Sequence, residues 1–191
     1  MKEPSFPNSK TWQALPFLKY PLNPMTTMAN PSPLRSSSLL DEHNAWRDVT
    51  IYHAHVYFEA HQEDVAKHVH ALVATAWSQL ALAPIFRQPF GPHPMGNFQI
   101  VVPVSDFSDF ARWVSFNRHG LSVLLHPITV NQVADHSDNC LWVGASLPNL
   151  DLAFLAKFDA ALDKMGLTDE EILENVAYLQ PDFVAKVRAH F

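Results

Sequence analysis

Two histidines separated by one residue form the strongest chemical feature of this chain. They lie in the run YHAHVYF at residues 52–58, whose aromatic and β-branched residues favour a strand. Because successive side chains of a strand point to opposite faces, His53 and His55 share one face with Tyr57. Neutral imidazole binds iron, zinc, copper and nickel. The spacing therefore predicts part of a metal site.

Three further histidines follow along the chain, and two of them lie where a strand would not hide them. His126 ends the apolar run LSVLLHP, which predicts a strand that stops at Pro127 because proline cannot continue a ladder. His93 lies in the turn sequence GPHP, and His136 lies in the polar segment ADHSD. We expect both of the latter on loops near strand ends.

These positions predict a divalent transition metal held by His53, His55 and His126. His93 and His136 are then expected to act as a further ligand, as a base or as orienting partners. The number of histidines does not choose the metal. A competing interpretation is a sheet whose polar histidines contact water or a partner subunit.

A non-haem iron site with two histidines and one carboxylate would also need an acidic ligand. The candidates are Glu59, Asp135 and Asp138. Glu59 shares the face of His53 but lies about 20 Å further along an extended strand, too far to bind the same ion. The third ligand is therefore expected to be Asp135, Asp138 or another histidine.

Other common catalytic signatures are missing from the sequence, among them a glycine-rich phosphate loop, a GxSxG elbow, a CxxC pair and an HExxH helix. Tyr57 is interpreted as a proton donor, a substrate contact or a packing residue. Arg87 and Arg118 could pair with a substrate carboxylate, although a role as surface charges is favoured for both.

Composition narrows the class of partner. The formal net charge is -6 and the chain has no basic run, which argues against a nucleic acid or an anionic membrane as partner. A small polar or aromatic substrate fits better. Cys140 is the single cysteine, so no internal disulfide is expected, and no segment reads as a signal peptide or a membrane span. We therefore expect a cytoplasmic protein.

The order of the predicted elements is the split βαβ pattern of an α+β, ferredoxin-like fold (βαββαβ) with both helices on one face of an antiparallel sheet. The elements are a strand at about 51–58, a helix at about 62–80, an extended piece at about 84–90, a strand at 98–104, a helix at about 106–118 and a strand at 121–127. In this topology the first and last strands are antiparallel neighbours. His126 is therefore expected beside His53 and His55.

Three regions are predicted along the chain. Residues 1–45 carry seven of the fifteen prolines and are expected to form an irregular arm. Residues 46–150 are expected to form the ferredoxin-like domain. Residues 151–191 are expected to form a helical extension, in which Thr168 begins one helix through a capping box with Glu171.

Five motifs follow one another between residues 52 and 144. They are YHAHVYF at 52–58, GPHP at 91–94, NRHGLSVLLHPIT at 117–129, ADH at 134–136 and LWVG at 141–144. Together, and in this order, they resemble the DOPA 4,5-dioxygenase family. The resemblance implies a ferredoxin-like domain, often a homodimer, that uses non-haem Fe(II) and O2 for the extradiol ring opening of a catechol such as DOPA.

Carried over position by position, the resemblance implies Fe(II) ligands at His53, His55 and His126. It implies an acid/base or fourth-ligand role for His93 and places His136 beside the ligands. Zinc or another divalent metal could occupy the same residues. After His93 the chain reads PMGNF instead of a more apolar, proline-containing segment, which affects the expected substrate preference.

Two alternatives from other classes stay open. A non-enzymatic ferredoxin-like module would use the histidine face for dimerisation or for an aromatic ligand. A zinc-dependent hydrolase or isomerase would keep the histidine site without a need for oxygen.

Overall fold

A five-stranded antiparallel sheet carries the histidines. The computed structural model of the chain describes residues 45–178 and 181–191. The predicted proline-rich arm lies outside the described residues up to residue 44. The predicted division into regions at residues 45 and 150 stays a prediction.

The strands have the order expected of the ferredoxin-like pattern. They are β1 (Ile51–Phe58), β2 (Ala81–Leu82), β3 (Gly96–Pro103), β4 (Ser122–Pro127) and β5 (Leu141–Val143). Their order across the sheet is β2-β3-β1-β4-β5, and all paired strands are antiparallel. The predicted α+β, ferredoxin-like fold is confirmed.

Six α-helices occur in the described part of the chain. They are α1 (Glu63–Ala76), α2 (Val104–Asn117), α3 (Gln132–His136), α4 (Leu152–Met165), α5 (Asp169–Ala177) and α6 (Pro181–Arg188). Within these residues no helix combines the length and the apolar composition that a membrane crossing requires.

Side chains of β1 point alternately to the two faces of the sheet, so its apolar residues and its histidines lie on opposite faces. Ala54, Val56 and Phe58 join a buried apolar cluster that also contains Val69 of α1 and Phe110 of α2. Both helices therefore cover the face opposite the histidines, as predicted. Because the histidine face is buried as well, β1 is a central strand with no solvated side.

The register between β1 and β4 fixes the distance between the predicted ligands. His53 pairs directly with His126, and Tyr57 pairs with Ser122. Side chains that are directly opposite in an antiparallel pair lie on the same face of the sheet. The expected adjacency of these two histidines is confirmed.

The last three helices build a second core. Phe158 and Leu162 of α4, Val176 of α5 and Val187 of α6 pack together with Ile128, which follows β4. The predicted capping box is present, because the Thr168 hydroxyl accepts from the Glu171 amide at 3.2 Å and the Glu171 carboxylate accepts from the Thr168 amide at 2.8 Å. The C-terminal helices are thus attached near the ends of β1 and β4.

Three predicted elements differ from the observed ones by a few residues. The second strand is β2 (Ala81–Leu82) instead of the extended piece at about 84–90, and two helices have other ends. Helix α2 begins at Val104, directly after β3, instead of at about residue 106. The Val104 amide donates to the Thr50 carbonyl at 2.9 Å, which replaces a side-chain cap. Helix α1 ends at Ala76, because Trp77 has left the helical region with φ -131° and ψ 46°.

We predict that Gly96→Ala lowers the free energy of unfolding, although the substitution changes none of the histidines. A Cβ atom at Gly96 would stand 2.8 Å from Cζ of the buried Phe58 ring, and that ring is fixed in the core. Overpacking of this kind costs about 1–3 kcal/mol of unfolding free energy. Urea titration of the variant measures the cost.

Phe58→Leu supplies the matched background for this test. If the clash is the cause, Gly96→Ala costs less in the Phe58→Leu protein than in the parent, giving a coupling energy in a double-mutant cycle. Equal costs in both backgrounds would contradict the explanation.

Candidate metal centre

Five buried histidines gather at one place on the sheet. Each of two groups brings one ring nitrogen per residue to within 4.8 Å of the others. The groups are His53, His55 and His126, and His55, His93 and His136. His55 belongs to both groups, so it lies at the centre of the cluster. The structure thus brings together every histidine that the sequence singled out.

Different elements supply these side chains. Strand β1 contributes His53 and His55, β4 contributes His126, a turn before β3 contributes His93, and α3 contributes His136. The rings are close, since the His126 and His136 centroids are 3.9 Å apart and the His55 and His93 centroids are 4.0 Å apart. The expectation of a loop at His136 is wrong, because a short helix holds it.

Backbone carbonyls orient two of the rings. His126 Nδ1 donates to the Pro127 carbonyl at 2.8 Å, and His136 Nδ1 donates to the Gln132 carbonyl at 2.9 Å. A proton on Nδ1 leaves the lone pair on Nε2, which is the form that binds a metal. The His55 and His126 Nε2 atoms are 3.2 Å apart, so these two rings face the same point.

One ring nitrogen of His55, the buried Nδ1, lacks a hydrogen-bond partner among the described residues. A buried polar atom without a partner costs free energy, and such atoms are rare in native structures. A metal bound to His55 would change which ring nitrogen carries the proton.

The ring of His53 is held by the end of helix α5 and by a side-chain amide of the sheet. Its Nε2 lies 2.6 Å from the Ala177 carbonyl oxygen, to which only an N–H can donate, and 3.1 Å from the Gln99 side-chain amide. The lone pair of His53 is then on Nδ1. The end of α5 therefore fixes the ring orientation of one predicted ligand.

His93 is positioned by a tyrosine on β1. The Tyr57 hydroxyl lies 2.8 Å from His93 Nδ1, and the Tyr57 ring stacks on Trp142 with centroids 5.8 Å apart. Burial raises the pKa of Tyr57, so the phenol stays protonated. The packing role considered for Tyr57 agrees with its stacking on Trp142, and the roles as proton donor and as substrate contact stay predictions.

Burial keeps all five imidazoles neutral. It lowers the pKa of His53 and of His136 to about 4 and that of His93 to about 3. The pKa values of His55 and His126 also fall well below the ordinary value, through burial first and the neighbouring histidines second. Neutral imidazole is the ligand form, so the environment suits a metal ion.

No carboxylate belongs to either histidine group within the described residues. Asp135 is buried, but its oxygens accept from the Thr129 amide and hydroxyl, both at 2.8 Å. Burial raises the pKa of Asp135 to about 6. Asp138 and Glu59 are exposed. The donor set is therefore entirely imidazole.

A cavity of about 770 Å³ opens onto the histidines. Its walls are mostly apolar and include Phe86 and Phe90 near the turn and Phe154 and Phe158 of α4. Its volume and its aromatic walls suit a small aromatic ligand. Its polar lining consists of the imidazoles, three side-chain amides, Tyr178 and Arg188.

Sequence reasoning missed the part of the wall that the C-terminal helices form. The apolar stripe of α4 was visible in the sequence, but periodicity does not say which surface a stripe covers. The two arginines that were considered lie elsewhere. Arg87 pairs with Glu63 at 2.9 Å, and Arg118 donates to the Leu121 carbonyl at 2.8 Å; neither lines the cavity.

Comparisons with known proteins agree with the motif order. The model of the Dopa 4,5-dioxygenase family matches residues 52–153. A DOPA 4,5-dioxygenase of Amanita muscaria is 34% identical over 140 residues, which cover 68% of this chain and 58% of that protein. An uncharacterised 21.2 kDa protein of Botryotinia fuckeliana is 30% identical over 120 residues, covering 58% of this chain and 63% of that protein.

A solved structure supports the same relationship. A crystal structure from Nostoc punctiforme, of a protein put forward as a dioxygenase, aligns with a TM-score of 0.55 at 38% identity. The alignment covers 58% of this chain and 95% of that one. This chain spans less than two thirds of the length of the two curated relatives. Because the family model matches more than half of the chain, we conclude that this chain belongs to the Dopa 4,5-dioxygenase family.

Proposed function

We propose that the protein is a non-haem Fe(II)-dependent extradiol dioxygenase that uses O2 to open the ring of DOPA or a related catechol. The observation that carries the proposal is the cluster of five neutral, buried histidines at an aromatic-walled cavity. The name of the Amanita muscaria relative supports DOPA as the first substrate to test.

We propose His53, His55 and His126 as the metal ligands. The fit rests on the donor chemistry, since these neutral imidazoles bring one ring nitrogen each to within 4.8 Å of one another. Iron(II), when bound, supplies the Lewis acidity and the redox electrons that allow a catecholate to react with O2. An all-imidazole set also accepts zinc, so the metal must be tested.

His93 is proposed to move the proton. When the Tyr57 hydroxyl donates to Nδ1, the proton of His93 sits on Nε2; when Nδ1–H donates to Tyr57, Nε2 can accept one. Nε2 can therefore take a proton from a catechol hydroxyl and return it later. Burial lowers the pKa of His93 to about 3, so Nε2 is a weak base that returns a proton readily.

His136 and the cavity walls are proposed to support this chemistry without taking a proton. His136 packs on His126 with ring centroids 3.9 Å apart, and its Nδ1 is bonded to the backbone. Phe154 and Phe158 present apolar surface to a bound ring. They also exclude water, which protects reactive species from side reactions.

We further propose a homodimer, as the family resemblance implies, and a cytoplasmic location. Exposed apolar side chains such as Phe116, at 89%, and Trp46, at 67%, support a partner surface of this kind. Sedimentation velocity of the full chain measures the oligomeric state.

We predict that protein reconstituted with Fe(II) under anaerobic conditions consumes one O2 for each L-DOPA when air is admitted. A yellow ring-opened product should form, because extradiol cleavage adds both oxygen atoms to the ring carbons. His126→Ala should lower kcat by at least about 100-fold, because it removes a proposed metal ligand. Loss of residues that only support a metal ligand already costs about 10- to 100-fold in other metal sites.

His68→Ala is the matched control, since His68 is an exposed histidine on α1 outside the cluster. It should leave the rate unchanged. Iron retention without O2 uptake across several catechols would contradict the dioxygenase and favour the binding module. Activity that requires zinc and ignores O2 would favour the hydrolase or isomerase.

Tyr57→Phe is expected to lower kcat by about 10- to 100-fold, because the hydrogen bond that sets the proton position on His93 is lost. The bound iron, measured by a chromogenic chelator, should not change. Trp142→Phe is the control, since it keeps an aromatic ring against Tyr57. An unchanged kcat in Tyr57→Phe would remove this role from the tyrosine.

The metal-free protein should lose stability as the pH falls from about 6.5 to about 4. The pKa values of the five histidines are lowered in the folded state, so the unfolded chain binds more protons below its own histidine pKa. The contribution is complete above about pH 6.5, and each histidine removes about 1.4 kcal/mol per pH unit below it. Urea titrations at several pH values measure the slope.

Asp135 acts in the opposite direction, since its raised pKa adds stability as the pH falls from about 6. One carboxyl does not offset five imidazoles. His136→Gln should make the slope shallower, whereas His68→Ala should not. A stability that stays flat between pH 6.5 and 4.5 would contradict neutral burial of the cluster.

A further inference from the structure

Arg188 on α6 is the one residue with a permanent charge among the described residues that line the cavity. Every other lining side chain is apolar, a neutral amide, a tyrosine or one of the neutral histidines. A single cation on an otherwise apolar wall marks the place where an anionic group of a ligand would be bound.

The guanidinium lies against two aromatic rings of the same cavity. Its Cζ is 5.5 Å from the centroid of Phe154 and 5.9 Å from the centroid of Phe90. A guanidinium over aromatic rings in this way is held by cation–π attraction, and its planar fork of N–H donors matches a carboxylate. Arg188 is exposed, so a ligand can reach these donors. No acidic side chain among the described residues forms an ion pair with Arg188.

The contact with Phe90 connects Arg188 to the proposed proton carrier. Phe90 and His93 face each other across a tight turn, joined by two backbone hydrogen bonds of 3.1 Å. Gly91 supplies the left-handed residue of this turn with φ +60°. The Pro92 carbonyl accepts from the Asp151 amide at 2.9 Å, which fixes the turn to the start of α4.

We propose that Arg188 binds the side-chain carboxylate of the substrate, so that the preferred substrates are catechols that carry a carboxylate on a short side chain. This inference rests on the proposed function, because it names the substrates that the proposed enzyme would prefer. The aromatic ring would lie between the phenylalanine walls with its hydroxyls toward the histidines. The carboxylate would then point to α6.

The test compares two catechols that differ in the carboxylate. 3,4-Dihydroxyhydrocinnamate carries one and 4-methylcatechol does not. Isothermal titration under anaerobic conditions, with iron-loaded and with metal-free full-length protein, measures both affinities without turnover. In Arg188→Met we expect the Kd for dihydroxyhydrocinnamate to rise by about 10- to 100-fold, the value of a charge-assisted bidentate pair.

Two further variants separate binding from structure. Lys186→Met removes a cation from the same helix at an exposed position outside the cavity, and it should leave both affinities unchanged. Arg188→Lys keeps the charge but loses the planar fork, so its Kd for dihydroxyhydrocinnamate should lie between those of the parent and Arg188→Met. The Kd for 4-methylcatechol should stay within twofold in every variant.

Three results would overturn the inference. The first is an equal loss of affinity for both catechols in Arg188→Met, which would make the arginine a structural contact between α6 and the aromatic rings. The second is an unchanged Kd for dihydroxyhydrocinnamate in Arg188→Met. The third is that the parent protein binds neither catechol. The proposed function fails in a different experiment, the O2 uptake assay. A carboxylate preference that depends on Arg188 in a protein without O2 uptake would keep this site and reject the dioxygenase.

Discussion

The antiparallel pairing of β1 with β4 is the constraint on which the rest of the site depends. It places His53 directly opposite His126 and leaves His55 two residues along on the same face. A slip of one residue would turn every side chain of β1 to the other face and would bury the histidines under α1 and α2. The apolar residues Ala54, Val56 and Phe58 disfavour this slip, because it would take all three out of the main core.

The second constraint is the cover that the C-terminal helices provide. Without α4, α5 and α6 the histidine face of the sheet would lose most of one wall of its cavity. The contact between His53 and the Ala177 carbonyl shows how close this cover lies to the cluster. The same cover keeps the imidazoles neutral by removing them from water, and it brings an arginine to the aromatic wall. The proposed metal site and the proposed ligand contact therefore rely on different layers of one fold.

Much of the domain could be predicted from the sequence, because it rests on short-range patterns. Alternation in residues 52–58 predicted β1 and its two faces, and the βαββαβ order predicted which strands are neighbours. The position of His136 on a helix could not be predicted, since five residues are too few for a periodic signal. That helix is held by distant groups: the Asp159 carboxylate on α4 accepts from the Gln132 and Val133 amides, both at 3.2 Å. The position of Arg188 at the cavity could not be predicted either, because only tertiary packing brings residue 188 to the turn at 90–93.

The central claim is that the buried histidines hold one metal ion at the cavity. X-ray absorption spectroscopy at the iron K-edge, on full-length protein loaded anaerobically with one equivalent of Fe(II), tests it most directly. We expect that the protein retains the iron and that the nearest neighbours of the iron are nitrogen and oxygen only. The outer-shell scattering should correspond to at least three imidazoles, and in His126→Ala to about one imidazole fewer. Iron that is lost on desalting, or an iron spectrum without imidazole scattering, would contradict the account.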